Sequence, residues 1–365
     1  MKRTNTWLAA GCSALLALGA TACGDSNDAT SSAPEGESLS GSIDGAGASS
    51  QDAAKQAWIV GIEDANPDVT VSYDPVGSGG GREQFIADAI AFAGSDSALE
   101  GSELKGAQDR CGGVDNLVEV PVYISPIAVA YNLEGVEGLN LSPETLAGVM
   151  AGDITTWDDE AIAADNPDAD LPAEDITVVS RSDESGTTEN FTDYMSQTAP
   201  DVWDFPVDGN WPIKGGEAAQ GTSGVVDAIK QGSGTVGYAD LSQVGELGVA
   251  NIGVGDEFVE PSADAAAEIF NESEEGSTEG EYVFDYEINR TVDEPGIYPI
   301  SLVSYDLACT QYEDQNEGAI VKGLLSYEVS EEGQEAAAQN AGSAPIPDSL
   351  REQITPAVEA IGSGG

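Results

Sequence analysis

Two kinds of hydrophobic pattern alternate in the first part of the chain beyond residue 37. Strict apolar and polar alternation predicts strands at 38–44 and 69–73, and an apolar run predicts a short buried strand at 91–96. Spacing of three and four residues predicts helices at 51–65 and 82–90. Their inward positions are expected to be Ala54, Trp58, Ile59, Ile62, Phe85, Ile86 and Ala89. This order of elements predicts an α/β fold containing a parallel sheet.

Each of the first two predicted helices follows a turn rich in glycine and serine. The turns are Gly45–Ser50 and Gly77–Gly81, and the third predicted strand delivers Asp96 at its end. In a parallel sheet these three segments meet at the carboxyl ends of the strands, where α/β sheets bind ligands. Ser49 and Ser78 would supply hydroxyl donors there. Either turn alone is weak evidence, because such turns are usually tight connections, and neither matches a Walker A loop.

A lone cation marks another candidate site. Arg181 is the only basic side chain between residues 110 and 214. Its guanidinium carries five N–H donors, and Ser185 and Thr187 add hydroxyls. A helix starting near Gly186 would add free N–H groups and the positive end of its dipole, which together form an oxyanion cradle. A surface arginine paired to a neighbouring carboxylate beside an ordinary N-cap is the alternative, and this stretch alone leaves both open.

The remainder of the chain predicts a second lobe. Some 325 residues exceed what one core usually holds. Extended apolar runs at 121–131 and 298–303 would leave and re-enter the first lobe, and two such crossings make a hinge. Further helices are predicted at 143–150, 222–231, 318–338 and 348–361. We expect Trp157, Trp203 and Trp211 to lie in the core or on a lobe surface and not to stack on a ligand.

Residues 1–22 are typical of an export signal. Lys2 and Arg3 precede an apolar run that is too short for a membrane span and ends in small residues. Cys23 follows directly, as in the lipobox of bacterial lipoproteins, so we expect a lipidated Cys23 and a disordered tether over 23–39. The protein would then be anchored to the outer face of the cytoplasmic membrane. Ordinary cleavage giving a free secreted protein is the alternative.

Charge excludes several classes of partner. The chain has 66 acidic and 12 basic residues, a net charge of −54, and no histidine. Such a surface repels nucleic acid and anionic lipid head groups, so membrane contact is expected only through the lipid anchor. Without histidine the commonest general base and metal ligand are missing, and we expect no metal, cofactor or catalytic residue.

The cysteines indicate one disulfide. Cys12 lies within the export signal and Cys23 is the expected lipid site, which leaves Cys111 and Cys309 as a pair in an oxidising compartment. A bridge between them would close a loop of about 200 residues and constrain the unfolded chain by about 5 kcal/mol. Two buried thiols are the alternative.

These motifs together resemble the solute-binding protein of the bacterial high-affinity ABC phosphate transporter, a periplasmic-binding-protein family. The resemblance extends over residues 40–361. The segments that carry it are 45–50, 76–80, 93–96 and 181–187, with support from 154–159, 234–238 and 298–300. One departure is Ser50, because an aromatic residue is frequent at this position in the family.

The resemblance implies a two-lobed periplasmic-binding-protein fold of type II with two hinge crossings. Lobe 1 would comprise 40–123 plus 299–362, and lobe 2 would comprise 124–298. It implies a monomer, not an enzyme, that binds inorganic phosphate and delivers it to a membrane permease. The implied ligand residues are Ser49, the main chain of Ser50, Ser78, Asp96, Arg181, Ser185, the Gly186 N–H and Thr187. Asp183 would orient Arg181.

Asp96 is informative because a carboxylate faces an oxyanion only when a proton lies between them. Phosphate carries a proton at neutral pH and sulfate does not, so Asp96 is expected to select phosphate. Two alternatives remain within this pattern: a receptor for another tetrahedral oxyanion, and an exported phosphatase or phosphotransferase that uses the same cradle. A surface adhesion role, without any small ligand, is more distant.

Overall fold

The structure is a computed structural model that describes residues 39–276 and 278–363. The predicted export signal, Cys23 and most of the tether lie outside the described residues. Among the described residues no helix is both long enough and apolar enough to cross a bilayer.

The described residues form strands and helices in alternation. The strands are β1 Gly41–Gly47, β2 Val69–Asp74, β3 Phe92–Ser95, β4 Leu117–Asn132, β5 Asn140–Leu141, β6 Thr177–Arg181, β7 Glu217–Ala219, β8 Thr235–Asp240, β9 Gly248–Val249, β10 Asn251–Val254, β11 Glu257–Val259, β12 Glu274–Glu275, β13 Tyr282–Val283, β14 Tyr286–Glu287 and β15 Ser301–Cys309. The helices are α1 Asp52–Ala65, α2 Ser78–Ile86, α3 Gly101–Cys111, α4 Pro143–Ala151, α5 Glu160–Asp165, α6 Gly186–Thr198, α7 Gly221–Gln231, α8 Ala263–Asn271, α9 Gln315–Glu328, α10 Glu331–Ala341 and α11 Asp348–Ala360. Single 3-10 turns lie at Val114–Asn116 and Leu241–Gln243.

One curled sheet of ten strands organises the molecule, in the order β2-β1-β3-β15-β4-β8-β6-β7 with β9 and β13 also paired to β4. The long strand β4 joins its two halves. Residues Leu117–Pro126 of β4 pair antiparallel with β15, and Ile127–Asn132 pair antiparallel with β8. Because one strand serves both halves, β4 is a crossing between two lobes, and β15 returns the chain to the first half.

Parallel pairing gathers the carboxyl ends of three strands at one edge in each half of the sheet. In the first half β1 pairs parallel with both β2 and β3, and in the second half β6 pairs parallel with β7 and β8. Both Gly/Ser segments therefore lie at the carboxyl ends of neighbouring strands, which confirms the parallel-sheet prediction. The first strand is shifted from its predicted position, because residues 45–47, predicted as part of the turn, are the end of β1. The ends of β6 and β7 bring Arg181 and the start of α7 to the corresponding edge of the other half.

Two helix predictions need correction. Helix α2 begins at Ser78, not at Arg82, and ends at Ile86, which leaves Ala89 exposed instead of inward. The glycine-rich turn is itself the first turn of α2, because a Cβ at Gly81 would lie 2.4 Å from the Gly47 Cα and only glycine permits that packing. The segment 318–338 divides into α9 and α10, because the Ser330 hydroxyl caps a new helix by accepting the Gly333 N–H at 3.0 Å.

The predicted disulfide is present. Cys111, at the end of α3, is bonded to Cys309, at the end of β15, with a Cα–Cα distance of 5.3 Å. Trp157 and Trp203 are fully buried in the core, as expected, and Trp211 packs against Tyr238 with ring centroids 5.5 Å apart.

Candidate functional site

Four helices begin where the two halves of the sheet face each other. Helices α1 and α2 follow β1 and β2 in one half, and α6 and α7 follow β6 and β7 in the other. The first N–H groups of a helix have no partner within it, and its dipole is positive at that end. The fold therefore gathers hydrogen-bond donors and partial positive charge between the lobes, without a net positive protein.

Asp96 lies at the centre of a hydroxyl network. Its Oδ1 accepts from the Ser50 and Ser304 hydroxyls at 2.6 and 2.7 Å, and its Oδ2 accepts from the Thr187 hydroxyl at 2.9 Å. The carboxyl group is only 3% exposed. A Cβ at Gly186 would lie 2.7 Å from the Asp96 Cβ, so the start of α6 packs directly on this residue. With only donors around it, Asp96 is held as a hydrogen-bond acceptor.

Three serine hydroxyls share one arrangement. The Thr222 N–H donates to Ser49 Oγ at 3.0 Å, and the Asp96 N–H donates to Ser78 Oγ at 3.1 Å. The Thr188 N–H donates to the oxygen of the third serine, Ser185, at 3.3 Å, as an N-cap of α6. Each oxygen already accepts a backbone N–H, so each hydroxyl keeps its proton to donate. All three are at least 95% buried.

Arg181 is buried at the end of β6 and fixed by Asp183. Its Nε donates to Asp183 Oδ1 at 2.9 Å, and its Nη2 is ion-paired with Asp183 Oδ2. Asp183 also accepts the Gly221 N–H at 3.0 Å, so the start of α7 helps to hold this pair. No described residue receives a hydrogen bond from Arg181 Nη1. The guanidinium is thus oriented with one nitrogen still available.

Tyr238 stabilises the end of β6, where Arg181 lies. Its hydroxyl accepts the Arg181 N–H at 3.3 Å and lies 2.7 Å from Thr188 Oγ1. Burial raises the pKa of Tyr238 to about 12, so it stays neutral. A neutral phenol supports the backbone of β6 and α6 without adding negative charge to the cleft.

Charged and polar contacts also join the two halves. Arg82 of α2 donates to Glu184 Oε1 at 2.7 Å, and Asn190 of α6 donates to the Asp96 carbonyl at 2.8 Å. The Ser97 hydroxyl donates to Glu189 at 2.7 Å. These bonds close the lobes on each other around Asp96.

A cavity of about 580 Å³ flanks Asp96 but has the wrong charge for an anion. Its lining includes Glu100, Glu189, Asp285 and Glu287. Burial raises the pKa of Glu189 and of Asp285, as expected of carboxyls crowded together out of water. The donor-rich cradle, and not this acidic cavity, is the site suited to an oxyanion.

Most of the predicted site residues are joined into one network. Asp96 contacts Ser50, Ser78, Gly186 and Thr187. The remaining predicted residues, Ser49, Arg181, Asp183 and Ser185, are joined through the starts of α6 and α7.

Sequence reasoning missed Ser304 and Thr222. Ser304 is a polar position inside the buried apolar run of β15, which is a signal that a polar partner is needed. Thr222 follows Gly221 in a third Gly/Ser/Thr segment, at the start of α7, the same pattern that identified the first two turns.

Sequence comparison gives extensive matches. The family described as PBP superfamily domain matches residues 32–332. The phosphate-binding protein PstS3 of Mycobacterium bovis BCG is 34% identical over 99% of this chain and 100% of its own length. The phosphate-binding protein PstS of Xylella fastidiosa is 30% identical over 91% of this chain and 89% of its own length.

Solved structures with the same fold confirm the two-lobed architecture. A high affinity periplasmic phosphate-binding protein, PfluDING, superposes with a TM-score of 0.69 at 22% identity, covering 87% of this chain and 93% of its own. A phosphate-binding protein from Stenotrophomonas maltophilia gives a TM-score of 0.63 at 20% identity, with 86% and 93% coverage. At this identity the likeness concerns the fold.

Proposed function

The chain belongs to the PBP superfamily and, within it, to the PstS phosphate-binding proteins, and on this premise we propose that it binds inorganic phosphate between its lobes and delivers it to an ABC-type import permease. We propose no reaction on the bound ligand, because the relatives are binding proteins. The site of action is extracytoplasmic.

This proposal rests on one observation: hydrogen-bond donors surround a carboxylate acceptor, Asp96. Buried serine hydroxyls and Arg181 offer donors, and Asp96 offers a buried carboxylate acceptor in their midst. An anion out of water requires many donors to replace its hydration. One acceptor among them requires a ligand that carries a proton, which describes phosphate and excludes sulfate.

The ligand residues are proposed as follows. Oxygens of phosphate accept from Ser49, Ser78 and Ser185 hydroxyls, from the Ser50 and Gly186 N–H groups, and from Arg181 Nη1. On binding, the Thr187 hydroxyl turns from Asp96 Oδ2 to a phosphate oxygen, and Oδ2 accepts the phosphate proton in its place. The carboxylate therefore exchanges one hydroxyl donor for another.

The wider organisation follows the same proposal. Lobe 1 comprises 40–123 plus 299–362 and lobe 2 comprises 124–298, so that β4 and the segment before β15 form the hinge. A lipid on Cys23 would hold the monomeric binding domain near its permease, through a tether ending near residue 39.

Calorimetry tests the proposal. The protein from residue 24 onward, freed of carried-over ligand by partial unfolding, is titrated with phosphate and with sulfate at neutral pH. We expect one-to-one phosphate binding at micromolar Kd or tighter, about −8 kcal/mol, and no heat with sulfate.

Asp96→Asn is the specific variant. An amide can donate to a fully ionised oxyanion, so we expect sulfate to bind and phosphate to weaken by about tenfold or more. Unchanged phosphate affinity with sulfate still excluded would contradict the role of Asp96. Absence of phosphate binding by the unmodified protein would contradict the proposed function itself.

A further inference from the structure

The first turn of α7 makes two contacts that the proposed ligand set leaves unexplained. Its first two N–H groups donate to different halves of the molecule: Gly221 to Asp183 Oδ1 in its own half at 3.0 Å, and Thr222 across the cleft to Ser49 Oγ at 3.0 Å. Ser49 belongs to the half of the sheet that contains β1, whereas α7 belongs to the other half. Thr222 is 1% exposed. One helix start therefore holds a ligand hydroxyl of one lobe and the arginine anchor of the other.

We propose that Thr222 is a positioning residue of the phosphate site, whose backbone N–H orients the Ser49 hydroxyl toward the ligand when the lobes close. This inference rests on the proposed function. It adds α7 as a fourth helix start to the site, acting through Ser49 and not through direct contact with the ligand.

Hydroxyl geometry explains how the orientation works. A serine oxygen can accept and donate at once, and its proton rotates to suit its neighbours. When the Thr222 N–H occupies the acceptor side of Ser49 Oγ, the Ser49 proton has two uses: donation to Thr222 Oγ1, which lies 3.0 Å away, or donation to the ligand. An anion is the stronger acceptor, so ligand binding draws the proton into the cradle.

Lobe closure is part of the same device. Gln243 lies in the 3-10 turn after β8, in the second half, and its side chain donates to the Ser49 carbonyl at 2.8 Å. Residues of the opposite lobe therefore donate hydrogen bonds to both the carbonyl and the hydroxyl oxygen of Ser49. Both bonds break when the lobes separate, so Ser49 is fully oriented only in the closed form, and opening releases one of the ligand's donors.

Two substitutions at position 222 separate the role of the backbone N–H from that of the side chain. Thr222→Pro removes the N–H of a first-turn residue, where proline fits a helix, and the preceding Gly221 has no Cβ to clash with the ring. Thr222→Val keeps the N–H and removes only the hydroxyl. We expect Thr222→Pro to weaken phosphate binding about tenfold with faster release, and Thr222→Val to stay within about threefold of the unmodified protein. Ser223→Ala, an exposed neighbour in the same turn, is the control.

A double-mutant cycle with Ser49→Ala tests whether the effect acts through Ser49. Phosphate affinity is measured by calorimetry and release by stopped-flow fluorescence, with thermal unfolding to confirm that each variant folds. If Thr222→Pro weakens the unmodified protein but changes the Ser49→Ala protein by less than about twofold, the positioning role is supported.

Two results would overturn the inference. Equal losses in both backgrounds would show that Thr222 acts independently of Ser49, and equal losses for Thr222→Pro and Thr222→Val would assign the effect to the hydroxyl. Both are read against unmodified protein that binds phosphate, so they are distinct from a failure of the proposed function, in which that protein binds none.

Discussion

Two charged clusters, one that contacts Ser304 of β15 and one that includes Asp306 of β15, use charge in opposite ways. The cleft cluster is Asp96, Arg181 and Asp183, which Ser304 of β15 contacts through Asp96. The core cluster is Lys55, Asp306 and Glu328, in which Asp306 lies two residues further along the same strand. Both clusters have more carboxylates than cations.

The core cluster pairs its cation with two carboxyl groups and still leaves acceptors without a donor. Lys55 is ion-paired with Asp306 and donates to Glu328 Oε1 at 2.7 Å, and all three side chains are 0% exposed. Asp306 Oδ1 and Glu328 Oε2 have no hydrogen-bond partner among the described residues. Burial raises the pKa of Glu328 well above its usual range, which favours its protonated form. With Glu328 protonated, the cluster is neutral.

The cleft cluster has the opposite surplus. Its carboxylates accept from hydroxyl, N–H and guanidinium donors, and the groups available to a ligand are the protons of Ser49, Ser78 and Ser185 together with Arg181 Nη1; the Ser49 hydroxyl also lies 3.0 Å from Thr222 Oγ1. Unused acceptors can be satisfied by a proton, whereas unused donors need an acceptor, and an anion is the strongest one. The difference indicates which buried cluster is structural and which one binds a ligand.

Removing the cation of the core cluster should strongly lower the free energy of unfolding. We expect Lys55→Met to lower the free energy of unfolding by about 4 kcal/mol, because it leaves a buried carboxylate without its cation. Urea unfolding followed by tryptophan fluorescence, with the disulfide intact, measures this. Lys105→Met is the matched control, because its pair with Asp109 has side chains 72% and 71% exposed, and we expect about 0.5 kcal/mol or less.

A second variant checks the proton on Glu328. Glu328→Gln reproduces the shape of the protonated acid, so its cost at neutral pH should be about 1 kcal/mol or less. A cost as large as that of Lys55→Met would mean that Glu328 is ionised, and the contrast between the clusters would be lost.

Glu119 shows what a buried carboxyl does without a cation. It is 0% exposed, accepts the Leu99 N–H at 2.8 Å, and its Oε2 has no partner among the described residues. Burial raises its pKa to about 8 from 4.5, so the folded state holds a proton that the unfolded state releases between these values. Its contribution to stability is therefore present below pH 4.5 and is lost as the pH rises toward 8.

Glu119→Gln removes this titration. Between pH 4 and pH 7 we expect the unfolding free energy of the variant to gain about 3 kcal/mol relative to the unmodified protein. Urea unfolding of both proteins at each pH measures the difference, in which the many surface carboxylates cancel. If the difference in unfolding free energy between the two proteins did not change with pH, the pKa of Glu119 would not be raised, and its carboxyl group would contact water or a counter-charge.

The sequence predicted the parts of the site that depend on local pattern. Both Gly/Ser turns, Asp96 at a strand end and the N-cap at Ser185 follow from periodicity and turn chemistry over a few residues. The disulfide followed from the cysteine count. The start of α2 was missed because glycine has low helix propensity, and only tertiary packing against β1 makes it favourable there.

Long-range partners could not be predicted in this way. Lys55 lies on the buried face of an amphipathic helix, where a charge is costly, and its partners are 251 and 273 residues away in sequence. Thr222 is 173 residues from Ser49. Such pairs depend on how the lobes and β15 come together, which no local pattern specifies.

Ser304, two residues before Asp306 on β15, provides the smallest test of the contrast. Gln51 Nε2 donates to Ser304 Oγ at 2.7 Å, and the Ser304 hydroxyl lies 2.7 Å from Asp96 Oδ1 and 3.2 Å from the Ser95 carbonyl, so its proton goes to the nearer carboxylate. Ser304→Ala removes one donor from Asp96, so we expect phosphate affinity to fall about fivefold, near 1 kcal/mol, with sulfate still excluded. Ser304→Thr keeps the hydroxyl and should restore affinity. Ser301→Ala is the control, because that buried hydroxyl of β15 donates to the Tyr298 carbonyl; a similar loss there would mean that the strand, and not the hydroxyl chain to Asp96, sets the affinity.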